Sequence, residues 1–185
     1  MKYYIKIIKE SIIVVIISSF FGLFSGSFLS ANKEILYVIP IILLVLPSLN
    51  SLIGDISTVL VSRITSGLYI GTIPPKIQKS DKLKENFIGL FITLLLSIGA
   101  LIIMGYSIAL MTGVKIFNPF LIAIILIITV LLLFFIMFIS LFISSIIIFK
   151  KGKDPNNFLI PFITSLADFL TPFFLIMFIA IFIWN

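Results

Sequence analysis

Five long apolar stretches follow one another along this chain, and they restrict its fold more than any other feature. A membrane-spanning helix needs about 20 apolar residues at ~1.5 Å per residue. The stretches cover residues 11–29, 35–70, 87–111, 118–149 and 158–184. Hydrophobic residues make up 61% of the chain and charged residues 11%, which is too apolar for a water-soluble domain. The sequence therefore predicts an all-α integral membrane protein, with five transmembrane helices in a single domain and a lipid bilayer around it.

The second stretch contains residues that interrupt helices. Pro40 and Pro47 remove backbone N–H donors shortly before Gly54. We expect this helix to be bent or discontinuous, with a break near residues 47–54. Irregular backbone at membrane depth is tolerated where it lines a water-filled cavity, so such a break would mark an ion pathway.

The basic residues of the loops predict the orientation, because Lys and Arg remain on the cytoplasmic side of a membrane. Most lysines fall on one side of the predicted bundle, and Lys33 and Lys115 fall on the other. We therefore expect the N-terminus in the cytoplasm and the C-terminus, Trp184-Asn185, outside. The predicted location is the plasma membrane, with several passes.

The absence of cysteine and histidine limits the chemistry. It excludes disulfides, thiolate chemistry and the usual ligands of zinc or copper, so any metal ion handled here must be a hard cation bound by oxygen. The net charge is +6, but the lysines are scattered along loops rather than interleaved with aromatic residues. We expect no nucleic-acid partner and no cofactor.

Two acidic residues, Asp55 and Asp168, fall deep within apolar stretches. A carboxylate near the middle of a membrane costs roughly 2.5–3.5 kcal/mol on insertion scales, so such residues usually face a cavity or a partner. The alternative is a structural role in a salt bridge or helix cap. Arg63, two turns from Asp55, is the candidate partner for such a bridge.

Polar residues accompany each acid at helical spacing and form a stripe on an otherwise apolar helix. In the last stretch they are Pro161, Thr164, Ser165, Asp168, Thr171 and Pro172. In the second stretch they are Ser48, Ser51, Asp55, Thr58, Ser62 and Thr65. Because Pro172 has no N–H, we expect the Asp168 carbonyl to lose its helical bond and to be free for a water or a cation.

Few acids and many hydroxyls suit magnesium, which holds its water shell and is usually bound through one or two carboxylates. The same stripes would also suit protons, sodium or a small polar solute. Residue chemistry alone therefore predicts a cation pathway without naming the ion.

An odd number of spans in a short chain favours a pathway between two copies, so we expect a ten-helix homodimer. The first stretch carries small residues at four-residue steps, Ser18, Gly22, Gly26 and Ser30. Such a ladder allows close helix packing, either between subunits or within one.

Two segments resemble the MgtE magnesium channels and the related solute carrier family 41 transporters. Residues 54–63, GDISTVLVSR, resemble the family's signature in the second span, flanked by PSL at 47–49 and RITS at 63–66. Residues 154–157, DPNN, and 161–168, PFITSLAD, are similar to its last span. Both segments lie where the family has them within five spans.

The resemblance implies transport of divalent cations, most simply Mg²⁺, through a pore at a dimer axis lined by the second and fifth spans. It implies that Asp168 is the principal ion-contacting residue, with the Thr164 carbonyl and Thr171 as pore lining. Together with the polar stripes, the predicted ion-contacting residues are Asp168, Asp55, Thr164, Thr171, Ser165, Ser51 and Thr58.

The chain departs from the family pattern in two respects. The residue after the signature glycine is Asp55, where the family usually has Asn, which adds a negative charge per subunit. We also expect neither the cytosolic regulatory domains of the bacterial channels nor the second five-span unit of the solute carrier relatives.

Two other functions are compatible with a small apolar chain. A substrate-capturing membrane subunit of an ATPase-energised importer would bind an organic solute through aromatic residues and co-purify with partner chains. A membrane-embedded enzyme needs clustered acids or histidines, and no second acid lies within two turns of Asp55 or Asp168 on its own helix. We therefore expect no enzymatic activity and no catalytic residue.

Overall fold

The computed structural model describes residues 2–78 and 80–183, without the side chains of residues 2–7, 9–11, 13 and 14. This part of the chain is helical and contains no strand, as predicted. The helices are α1 (Lys2–Ala31), α2 (Lys33–Val38), α3 (Ile41–Ile70), α4 (Asp81–Thr112), α5 (Pro119–Lys150) and α6 (Pro155–Ile183).

Four helices, α3 to α6, are long and apolar enough to cross a membrane. They have 29 to 32 residues each and correspond to the last four predicted spans. The predicted first span, 11–29, lies within α1, whose apolar segment among the described residues is the shorter Val15–Ala31. Trp184, at the end of the predicted fifth span, lies outside the described residues.

The second stretch is discontinuous, but the position predicted for its break was wrong. The chain leaves the helical conformation at Ile39 and Pro40, between α2 and α3. Residues 47–54 lie inside the uninterrupted helix α3, with Pro47 in its interior. Because α3 packs against α4, α5 and α6, these contacts offset the one backbone hydrogen bond that Pro47 removes.

Residues between the spans fix where the helices begin and end. The Ser80 hydroxyl accepts a hydrogen bond from the Leu83 amide at 3.2 Å and caps the start of α4. Asn118 caps α5 in the same way, through the Leu121 amide at 3.3 Å. Gly71 ends α3 with a φ of 84°, a left-handed conformation that glycine adopts without strain.

Helices α3 and α6 form the centre of the bundle. Besides α4 and α5, α3 contacts α6, and α6 contacts α1, α3 and α5. At their crossing, a Cβ atom on Gly54 would lie 3.9 Å from the Thr164 Cγ2 atom. The fold therefore brings together the two helices that carry Asp55 and Asp168.

Helix α1 packs on α6 along one face. The Phe21 ring meets the Phe162 ring at a centroid distance of 5.6 Å, and Phe28 meets Phe173 at 5.3 Å. In the small-residue ladder, the Ser18 hydroxyl donates to the Pro161 carbonyl at 3.3 Å. A Cβ on Gly22 or Gly26 would meet no atom within 4 Å, so these glycines do not mediate close packing within the chain.

Candidate functional site

A cavity of about 410 Å³ lies between α3 and α6. Both acids open onto it, together with hydroxyl and amide side chains from the two helices. The lining residues are Pro47, Asn50, Ser51, Gly54, Asp55, Thr164 and Asp168. Asp55 and Asp168 are 113 positions apart in the sequence, and the packing of α3 on α6 places them in one cavity.

The two carboxylates in this cavity are exposed and have no ion-pair partner among the described residues. The salt bridge found among the described residues joins Lys82 to Glu85 on α4, away from this cavity. The bridge between Asp55 and Arg63 considered above does not form. Two uncompensated negative charges in a partly enclosed space attract a cation more strongly than they would in bulk water.

Asn50 was missed by the sequence analysis, although it carried a signal. It lies four residues before Gly54 and three after Pro47, so it shares a helix face with both. Its side chain lines the cavity together with the Asp168 side chain. The Asn50 Oδ1 atom is buried without a partner among the described residues, and it is a further oxygen at this site.

The Asp168 backbone carbonyl is not free, contrary to the prediction. The Ser25 hydroxyl on α1 donates a hydrogen bond to it at 2.6 Å. Ser25 is 7% exposed, so it is among the few buried polar residues of the chain. Pro172 removes the intrahelical donor as expected, and a neighbouring helix replaces it. The carboxylate is therefore the group of Asp168 that remains available to an ion.

Four of the other predicted ion-contacting residues fall into two groups. Ser51 and Thr164 line the cavity, and the Thr164 hydroxyl donates to the Pro161 carbonyl at 3.1 Å. Ser165 and Thr171 are not part of the lining. The Ser165 hydroxyl also donates to Pro161, at 3.4 Å, whereas Thr171 is fully buried and its hydroxyl has no partner among the described residues.

A second cavity, of about 510 Å³, lies beside the first, between α3 and α4. Ser51 and Asp55 line both cavities, and Ser48 and Ser97 add hydroxyls to the second. Thr58 lines a third cavity further along α3. The polar face of α3 is therefore continuous, with Asp55 on the boundary between its α6 side and its α4 side.

The described residues contain no cluster of three or more acidic, histidine or cysteine side chains that would form a resident metal centre. The cavity instead offers two carboxylates, two hydroxyls and an amide on an open face. A strongly hydrated cation that keeps most of its waters needs no more than this.

Comparison with protein families places this chain. A protein-family model described as "MgtE: Divalent cation transporter" matches residues 46–178, which include both acids and nearly all of α3 to α6. Searches of curated proteins and of solved structures give no significant match. Since the family model covers well over half of the 185 residues, the chain belongs to the MgtE family of divalent cation transporters, a transporter family rather than an enzyme class.

Proposed function

We propose that this protein carries Mg²⁺ across the membrane through a polar pathway lined by α3 and α6, with Asp168 as the principal ion-contacting carboxylate and Asp55 as the second. The observation that carries the proposal is the cavity shared by these two acids. Family membership supports divalent cation transport, and the choice of Mg²⁺ rests on the chemistry of the site.

The cavity suits an ion that retains its water. Mg²⁺ binds near-octahedrally and dehydrates reluctantly. Six waters at ~30 Å³ each occupy roughly 180 Å³, and the cavity volume is about 410 Å³. The Ser51 and Thr164 hydroxyls and the Asn50 amide are then outer partners that bind these waters. Ca²⁺, which accepts more direct oxygen ligands, would find few of them here.

A second copy of the chain completes the pathway in this proposal. Asp55, Asp168, Ser51 and Thr164 are exposed in the single chain, and carboxylates facing lipid would be costly. A twofold axis beside this face would cover it and would place four carboxylates around one pathway. The positions of the basic loops predict that both N-termini of such a dimer lie on the cytoplasmic side of the plasma membrane.

The test is Mg²⁺ uptake into proteoliposomes loaded with a magnesium-sensitive dye. Asp168→Asn keeps the size of the side chain and removes its charge, so uptake should fall to the level of empty liposomes. Asp81→Asn is the matched control, because Asp81 is exposed at the start of α4 and lines neither cavity beside Asp55. Normal uptake by Asp168→Asn would overturn the assignment of this residue.

The same assay addresses the coupling and the competing function. Uptake that depends on an imposed sodium or proton gradient would identify an exchanger, and uptake without one a channel. If well-folded wild-type protein gave no uptake under any gradient but bound an organic solute tightly, the substrate-capturing subunit would be the better interpretation.

A further inference from the structure

A third cavity, of about 470 Å³, lies between the last turns of α3 and the first turns of α4. Among the described residues, its polar lining consists of basic, amide and hydroxyl side chains without a carboxylate, beside the apolar Val59 and Ile70. Its polar lining residues are Thr58, Ser62, Arg63, Ser66, Thr72, Lys82 and Asn86. The charge of its lining is opposite in sign to that of the cavity between α3 and α6. The proposed cation pathway does not use it.

The charge of this cavity comes mainly from Arg63. Lys82 is paired with Glu85 at 2.8 Å on the exposed surface of α4, which largely neutralises it. No carboxylate lies within salt-bridge distance of the Arg63 guanidinium among the described residues. Arginine presents a planar fork of donors that matches phosphate oxygens, so an unpaired arginine in a cavity is suited to a phosphate group.

Asn86 is the second, independent indication of a ligand. It is 4% exposed, and it lines the cavity. None of the side-chain hydrogen bonds within the described part of the chain involves it. A bound oxygen acceptor in the cavity would receive a hydrogen bond from its NH₂ group.

The floor of the cavity is held in place by the loop that follows α3. The Ile73 amide donates to the Gly67 carbonyl at 3.0 Å, and the Thr72 hydroxyl donates to the same carbonyl at 3.4 Å. Ile73 is 1% exposed and packs directly on Gly67. The cavity is therefore formed by two helices and a fixed turn rather than by a loose loop.

The position of the cavity narrows the class of ligand. It lies where two membrane-spanning helices end, which is the depth of lipid headgroups. Val59 and Ile70 line it as well, and both are exposed apolar side chains beside the polar groups. A phospholipid offers a phosphate to the arginine and an acyl chain to such side chains, whereas free phosphate offers the first contact only.

We propose that Arg63 and Asn86, with the Ser62 and Ser66 hydroxyls, form a phosphate-binding site at this end of α3 and α4. Its ligand is a phosphate-bearing anion, either the headgroup of an anionic phospholipid or free phosphate. The site is separate from the cation pathway, because Arg63 lies eight residues beyond Asp55, ~12 Å along the helix axis. It does not depend on the identity of the transported ion.

The test measures binding to purified full-length protein in a neutral detergent without Mg²⁺. One arm uses equilibrium dialysis against radiolabelled inorganic phosphate. The other measures lipid retained by the protein from mixed micelles that contain phosphatidylglycerol. We expect Arg63→Gln to weaken binding about tenfold or more in whichever arm binds, since it removes the charged fork. Retention of phosphatidylglycerol without phosphate binding identifies the lipid headgroup, and binding in both arms identifies a general phosphate site.

Lys84→Gln is the matched control, because it removes one positive charge from the same part of α4 outside the cavity lining. It should change binding less than twofold. Equal weakening by Lys84→Gln and Arg63→Gln, or no binding in either arm, would overturn the site.

A second variant covers the case in which Arg63→Gln does not fold. Arg63→Lys keeps the charge and removes the two-pronged geometry, so it should weaken binding three- to fivefold. Unchanged binding by Arg63→Lys, with Arg63→Gln unfolded, would also contradict the proposal.

Discussion

The cavity between α3 and α6 and the Arg63 cavity, where α3 ends and α4 begins, share one helix but have opposite charge. The cavity between α3 and α6 contains Asp55 and Asp168, and the cavity at the helix ends contains Arg63 and Lys82. On α3 the two charged residues are separated by only eight positions. The neighbouring helices add to this difference, because α6 brings a second carboxylate beside Asp55 and α4 brings an amide and a lysine beside Arg63. A polar stripe therefore does not define a site until its neighbours are known.

Reversing the charge at Asp55 should have the largest effect on this contrast. Asp55→Arg places a positive charge in the cavity between α3 and α6, as Arg63 does in the cavity where α3 ends. Two unit charges 4 Å apart interact by about 4 kcal/mol at an effective dielectric constant of 20. We expect Mg²⁺ uptake into proteoliposomes to fall at least ~100-fold. Uptake within tenfold of wild type would show that Asp55 does not face the ion.

Removing the charge without reversing it should have a smaller effect. Asp55→Asn keeps the size of the side chain and removes its charge, and Asp168 remains in the cavity. We expect uptake to fall about tenfold, equivalent to ~1.4 kcal/mol, and the preference for Mg²⁺ over monovalent cations to decrease. The measurement is uptake with competing Na⁺ or K⁺. A loss as complete as that of Asp168→Asn would make the two acids equal and would contradict the proposed ranking.

Ser25→Ala tests how α1 supports the ion cavity. The substitution leaves the Asp168 carbonyl without a donor from either helix. A buried acceptor without a partner costs about 1–3 kcal/mol, so the Tm should fall by several degrees and uptake should decrease. Ser19→Ala is the control, because the Ser19 hydroxyl bonds only to Val15 in its own helix. Equal effects of the two substitutions would show that the bond to Asp168 contributes nothing specific.

A pair of glycine substitutions compares the packing of the two regions and should give the smallest effects. A Cβ on Gly67 would lie 2.7 Å from the Ile73 side chain, whereas on Gly54 it would lie 3.9 Å from Thr164, an ordinary contact. Gly67→Ala should destabilise the protein by about 1 kcal/mol through overpacking. Gly54→Ala should be neutral or slightly stabilising, because alanine favours the helix. Thermal unfolding in detergent measures both, and the reverse order would contradict the described packing.

The spans and the membrane-embedded acids were predictable because both depend on local composition. A run of apolar residues must become a buried helix, and an acid within it is conspicuous. The helical period also predicted the stripes that contain Ser51, Thr164 and both acids. Period alone does not say which helices are neighbours, so Thr58 was grouped with residues that line a different cavity.

The features that were missed depend on contacts between distant parts of the chain. Pro47 was expected to break its helix, but packing on three neighbouring helices keeps α3 continuous. The Asp168 carbonyl was expected to be free, but its donor is Ser25, 143 positions earlier in the sequence. Asn50 was within reach of the sequence analysis, since an amide in an apolar span at four-residue spacing from Gly54 is itself a signal.

The bond between Ser25 and the Asp168 carbonyl couples position 25 to position 172, so that the residue tolerated at one position depends on the residue at the other. The hydroxyl is needed only because Pro172 leaves that carbonyl without its helical partner. Replacing Pro172 by alanine would return the intrahelical donor, and Ser25→Ala would then cost much less than it does beside proline. In a double-mutant cycle the two substitutions should be strongly non-additive. Over evolutionary time, related chains should gain or lose the serine and the proline together.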